Sequence, residues 1–244
     1  MSTQTLPAVN LRQRLTYDRR FYLGMAIASA VLVFVGFSPS YYLKSHHPLS
    51  PALSVLLHIH GLVFTAWMLY FIAQTALIAV KRPALHRKLG LAGAFLGSAV
   101  ILLGLTVAFT AIRLHHGAGP YDAETIFLLG LVDLFTFGLF FILGYRYRRN
   151  REAHQRLMLL SITAGLIEPA LGRLGIYGTP GPVVALISLA FLFAGPIYDL
   201  LSRRRIHPVY VYGVLFALLT FTPFRFVLGA TPWWHRMAHL IAGM

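Results

Sequence analysis

Seven apolar runs, each long enough to cross a bilayer, dominate this chain and leave little room for any other kind of fold. A membrane helix needs about 20 mainly apolar residues to cover roughly 30 Å of hydrocarbon. Runs of that size fall at about 21–39, 52–80, 89–113, 125–145, 155–174, 182–201 and 208–229. Of the 244 residues, 57% are hydrophobic and only 11% charged, against about 25% charged in soluble domains. A soluble protein this apolar could not cover its own surface, whereas lipid removes that need.

Charge sets the direction of each span. Arg12, Arg14, Arg19 and Arg20 precede the first run, and Lys81, Arg82, Arg87 and Lys88 follow the second. Arg146, Arg148, Arg149 and Arg151 follow the fourth, and Arg203, Arg204 and Arg205 follow the sixth. The remaining connections carry little beyond Lys44, Arg113 and Arg236. Basic loops stay in the cytoplasm, so the expectation is an all-α bundle of seven transmembrane helices with the N-terminus cytoplasmic and the C-terminus outside. It divides into a cytoplasmic segment over 1–20, a membrane domain over 21–229 and an outer interfacial tail over 230–244. The first run lacks a small-residue cleavage pattern after it and reads as an uncleaved anchor. Arg19-Arg20 reads as its positive flank rather than a twin-arginine signal, and Pro232-Trp233-Trp234 reads as an interfacial aromatic anchor. Pro169 and Pro223 mark kinks.

The formal net charge of +14 would point a soluble chain towards nucleic acid. Here the basic residues sit in short loops, so the partner they imply is anionic lipid on the cytoplasmic face, not nucleic acid. There is no cysteine, which excludes disulfides, thiolate ligands and iron–sulfur clusters. Walker, dinucleotide and Gly-x-Ser-x-Gly motifs are missing, and no lysine lies inside a span to form a retinal Schiff base.

Ionisable groups inside a membrane are costly, and each is a functional candidate. With every span given a direction, His58, His60, Asp133, Glu168, Arg173 and Arg225 fall in the outer third of the membrane. His58 and His60 lie roughly 200° apart around a helix. His60 shares a stripe with Trp67 and Gln74 and reads as interior, while His58 reads as lipid-facing. Two readings stay open. In one, His60, His58, Asp133 and Glu168 ligate zinc, iron or copper, with Arg173, Arg225, Gln74 and Trp67 balancing charge or meeting substrate. In the other they form a structural network, Arg173 paired with Glu168 and Asp133 with Arg225.

A second group lies at the cytoplasmic edge, where His86-x-Lys88-Leu89 and His154-x-Arg156-Leu157 open two spans with similar patterns. His86 and His154 could be axial ligands of a haem b, with Arg87 and Arg156 on its propionates. The alternative is that these residues meet lipid phosphates. His46-His47, His115-His116 and His235-x-x-x-His239 add histidines on the outer side, the last pair being a zinc half-site on one helical face. Asp199, with Arg203 to Arg205 and His207, reads as an inner boundary.

Arg19-Arg20-Phe21-Tyr22, Val35-Gly36-Phe37-Ser38-Pro39-Ser40-Tyr41-Tyr42-Leu43, His58-Ile59-His60-Gly61 through Ala66-Trp67 and Gln74, His86-Arg87-Lys88-Leu89-Gly90, and His154-Gln155-Arg156-Leu157-Met158 form an ordered series along most of the chain. This series resembles a family of uncharacterised multi-spanning bacterial membrane proteins, which implies the seven-span topology. The histidines of the second span and the start of the third are also reminiscent of membrane b-type cytochromes. The resulting expectation is an inner-membrane protein binding a metal or haem for redox chemistry, with an electron-transfer or small-molecule partner. The alternatives are a proton-coupled small-solute transporter or sensor, and a zinc-dependent membrane hydrolase.

Overall fold

The apolar runs fold as helices, and the polar residues between them supply the helix ends. The computed structural model describes residues 11–46, 53–221 and 224–244. His47 and Pro223, and the side chains of Arg12 and Arg14, lie outside these described residues. The helices are α1 (Leu11–Phe37), α2 (Val55–Ala79), α3 (Pro83–Arg113), α4 (Ala123–Arg146), α5 (Arg151–Ser161), α6 (Glu168–Ile176), α7 (Gly181–Arg203), α8 (Pro208–Phe221), α9 (Phe224–Gly229) and α10 (Pro232–Ala242). No strand occurs among the described residues. Seven helical stretches are long and apolar enough to cross a membrane, the fifth formed by α5 and α6 together and the seventh by α8 and α9. The protein is an all-helical bundle in which seven stretches have the length and hydropathy of membrane spans.

Side chains cap four of these helices. Ser54, Asp122, Asn150 and Thr231 accept hydrogen bonds from the backbone N–H groups of Leu57, Thr125, Ala153 and Trp234, at 3.3, 2.7, 3.1 and 3.1 Å. Each satisfies a donor that the first helical turn leaves open. Pro83 and Pro232 begin α3 and α10, where the missing N–H costs nothing. Within the described residues α1 runs from Leu11, so residues 11–20 are helical and continuous with the first apolar stretch.

Successive helices pack side by side, α1 on α2, α2 on α3, α3 on α4 and α4 on α5, and the fifth span lies at the centre. Of its apolar window 72% is buried, against 22–39% for the other six spans. Helix contacts there are close because glycine removes the side chain. A Cβ on Gly36 would lie 2.5 Å from the carbonyl oxygen of Ala170, and one on Gly165 would lie 2.7 Å from the Phe137 nitrogen. The central span is not a continuous α-helix. A π-helical turn, Ile162–Leu166, separates α5 from α6 just ahead of Pro169, whose ring lacks the N–H that a regular helix would use. Large apolar side chains such as Leu62, Phe95, Leu186 and Leu219 point outwards from the bundle, the pattern expected where lipid is the solvent.

Because connections alternate ends, the loops after α2, α4 and α7 share one arginine-rich end with the start of α1. The loops after α1, α3 and α6, together with α10, form the opposite end.

Candidate functional site

The chain has seven acidic residues, and they gather in three groups at three levels of the bundle. Three lie at the arginine-rich end. Arg156 is fully buried and donates two hydrogen bonds to Asp199, Nε to Oδ2 at 2.8 Å and Nη2 to Oδ1 at 2.6 Å. Its Nη1 meets Glu152 Oε2 at 2.6 Å. Arg203 donates to Asp199 Oδ1 at 3.1 Å and to Asp18 Oδ2 at 2.8 Å, and the Tyr198 hydroxyl donates to Asp18 Oδ1 at 2.9 Å. The backbone N–H of His207 completes Asp199. This network ties α1, α5 and α7 together. Arg156, expected beside a haem propionate, is bonded here to the carboxylates of Asp199 and Glu152. His207, just beyond the span, has its imidazole pKa pushed down by burial and then by the Arg156 charge.

Two more acids occupy the middle level. Arg225 Nη1 donates to Asp133 Oδ1 at 2.7 Å, and its Nη2 stands 3.6 Å from Glu168 Oε2. The Ser188 hydroxyl donates to Glu168 Oε1 at 3.2 Å. The expected Asp133–Arg225 pair is therefore present, whereas Glu168 turns to Arg225 and not to Arg173. The reason is angular. Residues 168 and 173 are five apart on α6, roughly 140° around a helix, and Arg173 instead lies over the Phe37 ring at 5.1 Å.

His60 does not join this group. Its ring lies 4.2 Å from that of Phe64, on the side of the Leu103 backbone of α3, and its buried Nδ1 makes no hydrogen bond among the described residues. His58 is exposed, with Nδ1 3.0 Å from the Ser54 carbonyl, as its outward stripe implies. Trp67 and Gln74 are buried on the interior face. Trp67 packs edge-on against Phe137 and Phe141, and Gln74 donates to the Tyr70 hydroxyl at 2.8 Å. Of the four candidate ligands, Asp133 and Glu168 share Arg225, while His58 and His60 face other neighbours. The four do not form a group with ligand atoms within 4.8 Å of one another, the spacing that Asp122, Glu124 and His235 achieve among the described residues.

His86 and His154 do come together. Their ring centroids are 6.1 Å apart with the planes at 72°, although they start different spans. Each ring is held from behind. Nδ1 of His86 lies 3.3 Å from the Gln74 carbonyl on α2, and Nδ1 of His154 lies 2.8 Å from the Gly144 carbonyl on α4. A carbonyl only accepts, so each Nδ1 carries the proton and each Nε2 keeps its lone pair. Both rings are half-buried, while Arg87 and Lys88 are exposed beside them.

The last two acids, Asp122 and Glu124, lie at the opposite end beside α10, which packs on α3 and α4 through Trp234, Ala238 and Ala242. The tail is thus part of the bundle: Trp234 is buried, whereas Trp233, Leu240 and Ile241 stay exposed. Burial raises the Asp122 pKa, but hydrogen bonds from Thr125 and the nearby His235 outweigh it and hold the carboxyl below its usual range.

Sequence reasoning passed over Asp18, Glu152, Ser188, Asp122 and Glu124. The rarity of acids in so basic a chain was the available signal, since each must find a cation or donor near the membrane. No known protein family, curated protein or solved structure matches this chain.

Proposed function

We propose that this is a protein of a bacterial cytoplasmic membrane, with its arginine-rich end in the cytoplasm, that binds a transition metal between His86 and His154 for electron transfer. The metal is a bare ion such as copper or the iron of a haem b. The carrying observation is the paired imidazoles, each fixed by a backbone carbonyl at Nδ1. That second contact is the usual means of setting the tautomer and orientation of a metal-binding histidine. Two imidazoles on opposite sides of one ion, at metal–nitrogen distances near 2.0–2.1 Å, have ring centres about 6 Å apart, which is the spacing here. Arg87, exposed beside His86, is the cation placed for a propionate or a lipid phosphate. The test is metal analysis and an absorption spectrum, oxidised and reduced, on protein purified without chelator. A Soret band or bound copper, lost in both His86→Ala and His154→Ala, is expected. Protein with neither metal nor band refutes the proposal.

A second reading, a proton-coupled carrier of a small solute, draws on the middle level. Asp133 and Glu168 share the Arg225 guanidinium, so charge balance there is completed by one proton or monovalent cation. The π-turn of the central span lies just before Glu168, and interrupted helices frame ion sites in carriers. This reading expects a charge displacement after a pH jump that persists in metal-free protein and disappears in Glu168→Gln.

A further inference from the structure

We infer that the end of the bundle opposite the arginine-rich end carries a binding site for a divalent transition-metal cation of the zinc type, built from Asp122, Glu124, His235 and His239. It is separate from the His86–His154 pair and does not depend on it.

The ligand atoms of Asp122, Glu124 and His235 all lie within 4.8 Å of one another. His235 Nε2 is 3.4 Å from Asp122 Oδ2, and His239 Nε2 is 2.7 Å from Glu124 Oε1. Three potential ligands thus converge from two elements, His239 adjoins them through Glu124, and the fold positions each of the four. Asp122 is held as the cap of α4 by its bond from the Thr125 N–H. Glu124 lies two residues on, with its backbone carbonyl accepting from the Trp234 indole at 2.7 Å. On α10, Trp234, Ala238 and Ala242 form the buried stripe. His235 and His239 follow the first two of these by one residue, so they rise one above the other along the edge of the packed face. Arg113 fastens the far end of α10 by donating to the Ala242 carbonyl at 2.9 Å.

The donor set selects the ion. Two carboxylates balance a charge of +2, and two imidazoles favour zinc-type cations over magnesium or calcium, which take all-oxygen sets. The group is partly open, with side-chain exposures of 13% for Glu124 and 36–45% for the other three, so an ion can enter from water. Two of the seven acids of a chain with formal net charge +14 are placed beside two histidines here, where they lower the cost of bringing in a dication. The same contacts serve the protein without an ion as hydrogen bonds, and an ion would replace them together with the 3.1 Å contact of His235 Nε2 to the Gly229 carbonyl.

The experiment uses full-length protein in nanodiscs carrying His86→Ala and His154→Ala, so that the other proposed site contributes nothing. Cobalt(II) is titrated and its visible ligand-field bands are recorded, then zinc is added to displace it. One cation per chain and bands of a low-coordinate His/carboxylate site are expected. Adding His235→Ala and His239→Ala should weaken binding at least tenfold. Glu124→Gln, which keeps the size of the side chain and a partner for His239, should do the same and serves if the histidine variant does not fold. Unchanged affinity in whichever folded variant is measured, or no cation binding in the His86→Ala/His154→Ala protein, overturns the inference.

Discussion

Asp18 and Asp199 are almost fully buried, and so is Arg156, which bridges Asp199 to Glu152. An isolated charge at such a position would cost several kcal/mol, and pairing with hydrogen bonds is what makes the burial tolerable. The energetic consequence is asymmetric. Arg156→Leu strands carboxylates that Arg203 only partly satisfies, with an expected loss of about 3–5 kcal/mol. Arg156→Leu combined with Asp199→Leu removes both charges and should be milder. Thermal unfolding followed by tryptophan fluorescence gives the comparison. A double variant less stable than Arg156→Leu would show that the pair itself, and not the stranded charge, carries the stability. The same logic separates Arg156 from Lys88, its counterpart in the other stretch. One is a neutralised structural residue and the other an exposed cation, a difference invisible in two similar His-x-basic-Leu stretches.

At the scale of helices, glycine decides where backbones touch. Gly165 sits in the π-turn against the Phe137 backbone, so a new side chain there meets atoms that cannot swing aside. Gly165→Val should cost about 1–3 kcal/mol by overpacking. Gly172→Ala, with nothing within 4 Å of the added carbon, should be neutral or gain up to about 1 kcal/mol from helix propensity. Equal thermal midpoints for these two variants would rule out close packing at the π-turn. α10 makes the same point about apolar stripes. Its sequence reads as a segment lying on the membrane, yet Trp234 and Ala238 bury against Ile112, Phe127 and Leu128. A helix with one apolar face satisfies it equally well on lipid or on a neighbouring helix.

The whole molecule is read through its topology. Seven apolar helical stretches place the four basic clusters at one end, and the proposed orientation, resting on the positive-inside tendency, puts that end in the cytoplasm. Alkaline phosphatase fused after Met244 should be active in a bacterial host, and a fluorescent protein fused there should be dark. The reverse result would exchange the faces of the two proposed metal sites without separating their residues. Three acidic groups at three levels then give the bundle a polar axis: a locked arginine-rich end, a middle site shared by two carboxylates, and an open His/carboxylate end.

The seven apolar helices, and the shared end of their basic flanks, followed from the sequence alone, because hydrophobic length and loop charge are summed along the chain and need no knowledge of neighbours. The facing of His58 and His60, the interior stripe of Trp67 and Gln74, and the Asp133–Arg225 pair were legible in the same way or by charge matching. What only the tertiary structure decided was which residues at one depth meet. Depth leaves the rotation of each helix and its choice of neighbour free. That rotation turned His60 towards α3 and Glu168 towards Arg225, closed Asp199 on Arg156, brought His86 to His154, and folded α10 down beside Asp122 and Glu124.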